Sequence, residues 1–294
     1  MSEQDQAPER PASGSGVFGV RDTAGRPQPE QQDTPTASQG RPTESATRIA
    51  LVYPELLGTY GDGGNSLVLS QRLRWRGLDA EVVSVPAGEP LPTACDIYLL
   101  GGGEDEPQVL AAEGMRRESS LLRAVEGGAM VFAVCAGFQI VGTTFLGADG
   151  KQHDGVGLLG LETRRSFSPE SEPAPPRAVG DIVVAPEPEF GLPLLLGYEN
   201  HGGRTRPLPD APGRRLGVVR KGIGNGTPDR AEGHVADVGR GRVIATYLHG
   251  PVLAQNPALA DLLLRWVHPD LPALEGPAEA ERLRSARLRA LDVA

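Results

Sequence analysis

The stretch Ala129-Met-Val-Phe-Ala-Val-Cys-Ala-Gly-Phe-Gln-Ile-Val-Gly142 decides the fold of this chain. Its first six residues are apolar and typical of a buried strand, and the residues after Cys135 begin a helical pattern. Cys135 therefore falls on the sharp turn between them, where unpaired backbone N–H groups and the helix dipole favour the thiolate over the thiol. Gly137 is expected to keep the approach to the sulfur open. The stretch thus predicts a nucleophile at a strand-to-helix turn.

A free cysteine is more often an inert small hydrophobe than a nucleophile. Cys95, which precedes the apolar run 96–100, fits that description, because it does not lie on such a turn. The two cysteines also have no spacing that suggests a disulfide framework or a metal site, which agrees with a reducing compartment. Only Cys135 is therefore carried forward as a candidate for chemistry.

Further strand and helix patterns lie upstream of this turn. Strands are predicted at 47–53, 81–85 and 96–100, and a helix is predicted at 66–75 with Asn65 as its N-cap. Alternation of strands and helices is typical of a doubly wound α/β fold with a mainly parallel sheet. We therefore predict that fold class.

Two glycine-rich loops follow strands in this region. Gly61-Asp-Gly-Gly-Asn65 is interpreted as a tight turn that lets a helix pack on the sheet, since the chain has no Gly-x-x-x-x-Gly-Lys-Ser/Thr phosphate loop. Gly101-Gly-Gly103 ends a predicted parallel strand, where bare backbone N–H groups meet the ligand crevice of α/β sheets. An oxyanion hole can form there, although a flexible turn is the alternative.

From residue 157 onwards the predicted strands are shorter and separated by many turns. One of them, 242–247, ends just before His249-Gly-Pro251, which places the imidazole at the same sheet edge as Cys135. His201, in a glycine-flanked polar turn, is the second candidate for the base that a cysteine nucleophile needs. The remaining histidines lie in polar settings and are interpreted as structural or solvated: His153, His234 and His268.

Composition limits the function classes. Residues 1–46 are polar and rich in proline, which predicts a disordered tail, and leucines and arginines at helical spacing predict a surface helix within a C-terminal extension at 271–294. The net charge of −9 argues against a nucleic-acid partner. No apolar run reaches the roughly 20 residues that span a bilayer and no signal peptide is recognisable, so a cytoplasmic location is expected.

Several segments occur in the order typical of a known family: Val134-Cys-Ala-Gly-Phe-Gln139, Gly197-Tyr-Glu-Asn-His-Gly-Gly-Arg-Thr205 and Thr246-Tyr-Leu-His-Gly250. The first and third of these segments resemble the class I glutamine amidotransferase domain, in the branch typified by cobyric acid synthase. More narrowly, the GatD-type glutaminase subunit of lipid II isoglutaminyl synthase is resembled by Gly101–Gly103, Gly180-Asp-Ile-Val183, Gly197–Thr205 and Tyr247-Leu-His-Gly-Pro251. The resemblance covers about residues 47–270 and implies a flavodoxin-like architecture for that domain.

The resemblance also implies roles for individual residues. Cys135 matches the family's nucleophile, and His249 matches its catalytic histidine. Arg177 matches the arginine that binds the substrate, and Gln139 lies in the elbow signature, where it either helps to place glutamine or packs in the helix.

The family's glycine loop implies that the backbone N–H groups of Gly102, Gly103 and Ala136 stabilise an oxyanion. Many class I members place a glutamate two residues after the catalytic histidine, but here that position is Pro251. The third member of a triad must then come from elsewhere in the chain or from a partner, or be absent, and the working hypothesis is that a partner supplies or organises it.

The implied activity is hydrolysis of L-glutamine by a chain with no cofactor or metal of its own. By resemblance, the ammonia goes to a MurT-type, Mur-ligase-like partner in a heterodimer, which carries ATP and magnesium and amidates the D-glutamate of lipid II. Two alternatives stay open: another acceptor, such as a cobyrinic acid-type substrate, and a non-enzymatic regulatory module on the same fold. The sequence does not place Glu199-Asn-His201 in the active site or on a partner surface.

Overall fold

Strands and helices alternate along the first half of the chain in a computed structural model. The model describes residues 45–58, 61–169, 172–274, 276 and 278–293. The strands are β1 (Thr47–Val52), β2 (Ala80–Val85), β3 (Ile97–Leu100), β4 (Met130–Val134), β5 (Thr144–Leu146), β6 (Gln152–Asp154), β7 (Leu161–Arg164), β8 (Ala178–Pro186), β9 (Leu195–His201), β10 (Arg204–Pro207), β11 (Gly217–Lys221), β12 (Ala231–Glu232), β13 (His234–Val238) and β14 (Gly241–Thr246). The helices are α1 (Gly64–Arg74), α2 (Asp105–Glu118), α3 (Ser120–Glu126), α4 (Ala136–Val141), α5 (Val252–Gln255), α6 (Pro257–Val267) and α7 (Ala278–Ala290), with a short 3-10 turn at Pro188–Phe190.

A six-stranded sheet in the order β13-β14-β4-β3-β1-β2 forms the centre of the fold. Every neighbouring pair is parallel except β13 with β14, which is antiparallel. All the residues of β3 and β4 are buried, as expected for strands covered on both faces. The predicted doubly wound, mainly parallel α/β fold is confirmed, and the order of the five parallel strands is the flavodoxin-like one.

The predicted core elements lie where the hydrophobic pattern placed them, within one or two residues. The patterns at 47–53, 81–85, 96–100 and 129–134 become β1, β2, β3 and β4, and the pattern at 66–75 becomes α1. Continuous apolar runs identify such buried strands because both faces of a parallel sheet are covered. The pattern at 242–247 likewise becomes β14.

Beside the central sheet lie two small sheets whose strand order could not be predicted from the sequence. The first runs β10-β7-β5-β6, and the second runs β12-β11-β8-β9 with every pair antiparallel. In the second sheet, Ala178 pairs with His201 and Gly180 pairs with Glu199. This pairing brings the amino end of β8 against the Glu199-Asn-His201 motif.

The side chains of Asn65, which the sequence predicts as a helix cap, and of Asn256 join distant segments of the chain. The N-cap of α1 is Gly63, and Asn65 lies inside the helix, where its side chain accepts a hydrogen bond from the backbone N–H of Leu253 (3.1 Å). Asn256 does hold the N-cap position of α6, but its side chain bonds the backbone N–H and C=O of Leu196 instead of capping the helix. The predicted Asn65 cap is therefore wrong, because α1 begins before this residue and its side chain bonds a distant segment.

The C-terminal helix α7 is anchored by arginines. Arg284 donates hydrogen bonds to the carbonyl oxygens of Leu194 and Gln255, and Arg287 pairs with Asp181 (2.7 Å). Residues 44–294 accordingly form one compact unit. The predicted boundary at residue 271 stays a prediction, and all but the last two residues of the predicted tail lie outside the described ranges. None of the described helices is long and apolar enough to cross a bilayer.

Candidate active site

Four loops with polar or glycine residues leave the central sheet at the same edge. Because β14, β4, β3 and β1 are adjacent and parallel, their carboxyl ends lie side by side. The segments that follow them carry His249, Cys135, the Gly101–Gly103 loop and Asp62 respectively. This edge is where open α/β sheets bind their ligands. The fold alone thus collects a nucleophile candidate, a base candidate and an acid.

Cys135 lies on the turn between β4 and α4 with a positive φ of 51°, an uncommon value for a residue with a side chain. Its backbone N–H donates to the carbonyl oxygen of Thr246 (2.9 Å), which fixes the turn against the end of β14. The residue is buried and lines a cavity at the sheet edge, where its Sγ lies 3.9 Å from the carbonyl oxygen of Asn200. The predicted elbow geometry is present.

Gly137 has a packing role that the sequence did not predict. A Cβ at this position would lie 2.7 Å from the carbonyl oxygen and 2.8 Å from the Cβ of Leu100. The glycine is therefore required for the close packing of α4 on β3, and its effect on access to the sulfur stays a prediction.

His249 is held from both sides. Its backbone N–H donates to the Tyr198 carbonyl oxygen (2.7 Å), and its Nδ1 lies 3.1 Å from Asp62 Oδ2. Burial alone lowers the pKa of the imidazole, but hydrogen bonds and charge interactions with Asp62 and Cys135 outweigh burial and raise the pKa to about 10. His249 is thus an imidazolium near neutral pH that contacts the Asp62 carboxylate and interacts with the Cys135 sulfur.

Asp62 is the functional candidate that the sequence analysis missed. It is 2% exposed, and it lies in the Gly61–Asn65 loop, where the glycine pattern predicts only a packing turn. The sequence signal that could have identified Asp62 is a charged residue in a glycine loop directly after the first parallel strand. Because this carboxylate already contacts the ring of His249, no partner chain is needed to bring an acid to the position that Pro251 leaves without one.

The same carboxylate changes the predicted oxyanion hole. The backbone N–H of Gly102 donates to Asp62 Oδ2 (2.9 Å), so this group is committed to orienting the acid. Gly103 and Ala136 line the cavity beside Cys135, and their N–H groups remain the predicted donors. The predicted role of Gly102 as an oxyanion donor is therefore wrong, and its N–H group instead orients Asp62.

A cavity of about 400 Å³ opens above the thiol; we call it the Cys135 pocket. It is lined by Gly103, Gln108, Cys135, Ala136, Gln139, Leu146, Gly147, Ala148, Gly150, Arg165, Arg177, Asn200, His201, Gly202 and Gly203. The structure thus brings the predicted substrate-binding residues Arg177 and Gln139 to the same pocket as Cys135. Its size lies in the range of small-molecule sites.

Gln139 is fixed by a chain of hydrogen bonds behind the pocket wall. Its Oε1 accepts from Gln108 Nε2 (2.9 Å), and its Nε2 donates to the hydroxyl of Tyr247 (3.3 Å). That hydroxyl lies 2.6 Å from Thr205 Oγ1, which lies 2.7 Å from Thr163 Oγ1. The amide of Gln139 is thus oriented by the fold, and its contact with a substrate stays a prediction.

His201, the second candidate base, lies in the pocket wall, 1% exposed and stacked on Tyr247 with ring centroids 3.7 Å apart. Its Nδ1 lies 2.9 Å from the Gly203 carbonyl oxygen, and its Nε2 lies 3.4 Å from Glu199 Oε2. Burial lowers the pKa of His201. With both ring nitrogens facing acceptors of the protein, His201 supports the pocket wall, and His249 is the histidine that interacts with Cys135.

A buried acid lies beneath the segment that leads to His249. Glu232 Oε1 accepts hydrogen bonds from Thr246 Oγ1 (2.8 Å) and from the backbone N–H of Tyr247 (2.7 Å). Burial raises the pKa of Glu232 to about 8, so this carboxyl group is mostly neutral at pH 7. It fixes the exit from β14 without adding a charge to the pocket.

Within the described ranges, no group of three or more histidine, cysteine or acidic side chains has an arrangement that could hold a metal ion. The chemistry that the described residues can perform is attack by a cysteine, proton transfer through a histidine, and orientation of that histidine by a carboxylate. This is the arrangement of a thiol-dependent hydrolase of acyl or amide bonds.

Comparison with known proteins connects this arrangement to a family. Residues 48–257 match the model of the CobB/CobQ-like glutamine amidotransferase domain. The match spans the central sheet, both small sheets and every residue of the candidate site named above.

Individual relatives are identical to the chain at about a third of the aligned positions. It is 34% identical over 210 residues to the GatD subunit of lipid II isoglutaminyl synthase (glutamine-hydrolyzing) of Staphylococcus aureus, covering 71% of this chain and 79% of that protein. It is 33% identical to the corresponding GatD subunit of Streptococcus pneumoniae, covering 72% and 76%. A cobyric acid synthase of Sinorhizobium medicae is 33% identical, but the match covers 63% of this chain and 35% of that protein.

Proposed function

Because the chain belongs to the family of CobB/CobQ-like glutamine amidotransferase domains, we propose that it is the glutaminase subunit of a lipid II isoglutaminyl synthase. In this role it hydrolyses the side-chain amide of L-glutamine and delivers ammonia to a MurT-type, Mur-ligase-like partner. The observation that carries the hydrolytic step is the placement of three groups beside a cavity of about 400 Å³: Cys135 lines the cavity, His249 interacts with Cys135, and His249 Nδ1 lies 3.1 Å from Asp62 Oδ2. Two GatD relatives, each matched over about three quarters or more of its length, support the assignment to this synthase.

The first half of the proposed reaction forms a thioester. The Cys135 thiolate attacks the amide carbon of glutamine, and the oxyanion that develops is held by the backbone N–H groups of Gly103 and Ala136. His249 carries a proton on Nε2, since its Nδ1 faces Asp62, and it gives this proton to the amide nitrogen as the C–N bond breaks. Ammonia leaves, and a glutamyl thioester remains on Cys135.

The second half restores the enzyme. The imidazole of His249, now neutral, takes a proton from a water molecule, and the oxygen of that water attacks the thioester carbon. Cleavage of the C–S bond releases glutamate and returns the Cys135 thiolate beside the His249 imidazolium. Asp62 stays ionised throughout and keeps Nε2 directed at the reacting groups.

Two other functions were considered. Amidation of a cobyrinic acid-type acceptor is less favoured, since the matched cobyric acid synthase shares only 35% of its length with this chain, compared with 79% for the first GatD relative. A non-enzymatic module is less favoured because the nucleophile, the base and the acid are all present and in contact.

Reconstitution with the partner tests the acceptor. The chain is co-expressed with the Mur-ligase-like subunit of the same organism, and the complex receives ATP, Mg²⁺, lipid II and glutamine labelled with ¹⁵N in its amide. We expect the label in the α-amide of D-isoglutamine. A Cys135→Ala complex should lose this transfer but still amidate lipid II from ammonium salts. A parallel reaction contains a cobyrinic acid in place of lipid II, and labelling of that acid without labelling of lipid II would overturn the assignment.

The pH dependence of glutamine hydrolysis follows from the pKa of His249. Because this pKa is raised from 6.5 to about 10, the imidazolium that protonates the leaving ammonia persists through neutral pH and is lost as the pH rises past about 10. We expect the alkaline limb of kcat/KM of the wild type near pH 10. In Asp62→Asn the limb should move to lower pH, because the Asp62 carboxylate is a main cause of the raised pKa of His249. Glutamate release in quenched samples measures both profiles. An alkaline limb near pH 6.5 in the wild type would contradict the expected charge state.

A further inference from the structure

One motif singled out in the sequence is not used by the mechanism above: Glu199-Asn-His201. In β9 the side chains of Glu199 and His201 are buried, at 2% and 1% exposure, whereas Asn200 lines the Cys135 pocket. Glu199 accepts hydrogen bonds from the backbone N–H groups of Ile223 (2.8 Å) and Gly224 (2.9 Å). Both neighbours of Asn200 are therefore anchored in the protein, and the position of Asn200 is fixed by the fold.

Asn200 contacts Arg177 twice. Arg177 Nε donates to the side-chain oxygen of Asn200 (2.6 Å), and Arg177 Nη2 donates to its main-chain oxygen (3.1 Å). Arg177 itself is exposed at the mouth of the pocket, so its long side chain would sample many rotamers without such a contact. The two bonds use two of the five guanidinium N–H groups and leave the others for a ligand.

The same main-chain oxygen also faces the nucleophile. Asn200 O lies 3.9 Å from Cys135 Sγ and accepts from Arg177 Nη2 at 3.1 Å. A single peptide group therefore sets the distance between the cationic side chain at the mouth and the sulfur at the base of the pocket. Glutamine needs such a fixed distance, because its α-carboxylate and its side-chain amide are separated by a short aliphatic chain.

We propose that Asn200 is the positioning residue that holds Arg177 in place for the α-carboxylate of glutamine, in register with Cys135. This inference rests on the proposed glutaminase function and on the predicted role of Arg177 in substrate binding. In this role the side chain of Asn200 has no part in the reaction at the amide or the thiol. It acts through Arg177, so its loss affects substrate binding and leaves the chemical step unchanged.

Kinetics of Asn200→Ala in the full chain test the proposal. We expect KM for glutamine to rise about tenfold, which corresponds to about 1.4 kcal/mol, with kcat within about twofold of wild type because the triad is untouched. Val179→Ala is the matched control, since Val179 is 60% exposed and lies opposite Asn200 in the strand register. An unchanged KM in Asn200→Ala, or a fall in kcat with KM unaltered, overturns the proposal.

A second pair of variants separates positioning from general loss of structure. In an Arg177→Ala background, Asn200→Ala should raise KM no further, because the group that it positions is gone. Asn200→Asp keeps an acceptor for Arg177 Nε but adds a negative charge beside the anion site, so we expect its KM to exceed that of Asn200→Ala by about a further tenfold. Additive effects of the two alanine changes, or wild-type KM in Asn200→Asp, would assign Asn200 a structural role only.

Alkylation of Cys135 distinguishes failure of this inference from failure of the proposed function, because it requires no turnover of glutamine. Anionic iodoacetate and neutral iodoacetamide are compared by peptide mass spectrometry at Cys135. If Asn200 holds Arg177 at the pocket, the ratio of the iodoacetate rate to the iodoacetamide rate falls severalfold in Asn200→Ala. If the wild type does not hydrolyse glutamine but the ratio still falls in Asn200→Ala, the glutaminase function is refuted and the positioning role is retained. If the wild type is active but Asn200→Ala has the wild-type ratio and the wild-type KM, the positioning role is refuted.

Discussion

Replacing Cys135 with alanine is expected to reduce the release of ammonia and glutamate from L-glutamine by at least about 10⁴-fold, to the detection limit. The reason is that Cys135 is the group that forms the thioester. No other thiol of the chain can substitute for it, since the second cysteine, Cys95, lies before the amino end of β3 and does not line the Cys135 pocket. Glutamate measured in quenched samples of the purified chain gives the rate.

Cys95→Ala is the matched control for this prediction. It also removes a buried thiol, but one at the amino end of β3, away from the ligand edge of the sheet. We expect it to keep the activity of the wild type. Glutamine hydrolysis that survives in Cys135→Ala, or that disappears in Cys95→Ala instead, would show that the nucleophile has been misassigned.

Asp62→Asn is expected to lower kcat by about 10²–10⁴-fold, because an amide can hold the wrong tautomer of the imidazole and cannot stabilise its charge. The carboxylate of Asp62 lies 3.1 Å from His249 Nδ1 and also accepts the backbone N–H of Gly102. An asparagine oxygen can still accept one of these bonds, so the fold should persist while the charge is lost. Stopped assays at saturating glutamine measure the change in kcat.

Asp96→Asn provides a comparison for the loss of a carboxylate. Asp96 Oδ2 also accepts a backbone N–H, that of Arg48 (2.8 Å), but it lies at the opposite end of the parallel strands. We expect near wild-type activity from this variant. If Asp62→Asn also turned over glutamine at the wild-type rate, the carboxylate that acts on His249 would have to come from another chain, as the missing acid at Pro251 first suggested.

The central sheet and two of the site residues were predictable because parallel strands carry a strong local signal. The strand β4 is apolar at every position, so its end and the turn at Cys135 could be located from the sequence. Parallel neighbours end at a common edge, so the histidine after β14 could be placed near that turn although 114 positions separate them. Physical reasoning on local patterns was sufficient for these features.

The acid and the support of the pocket could not be predicted in the same way. Asp62 lies 187 positions from His249. The local pattern of its glycine loop indicates only a turn of the chain, so it does not predict contact with a histidine. The commitment of the Gly102 N–H to Asp62, and the role of Gly137 in packing on Leu100, depend on distances that appear only after the strands have paired. The order of the two small antiparallel sheets depends on cross-strand contacts for the same reason.

The most direct test of the account is the glutaminase activity of the purified chain with no partner present. Because Cys135, His249 and Asp62 are brought together within one chain, the wild type alone should release glutamate and ammonia in equal amounts from L-glutamine, and Asp62→Asn should remove most of that activity. A wild-type chain that is folded yet inactive, and that gains activity only when a partner is added, would contradict the claim that this chain carries the complete triad.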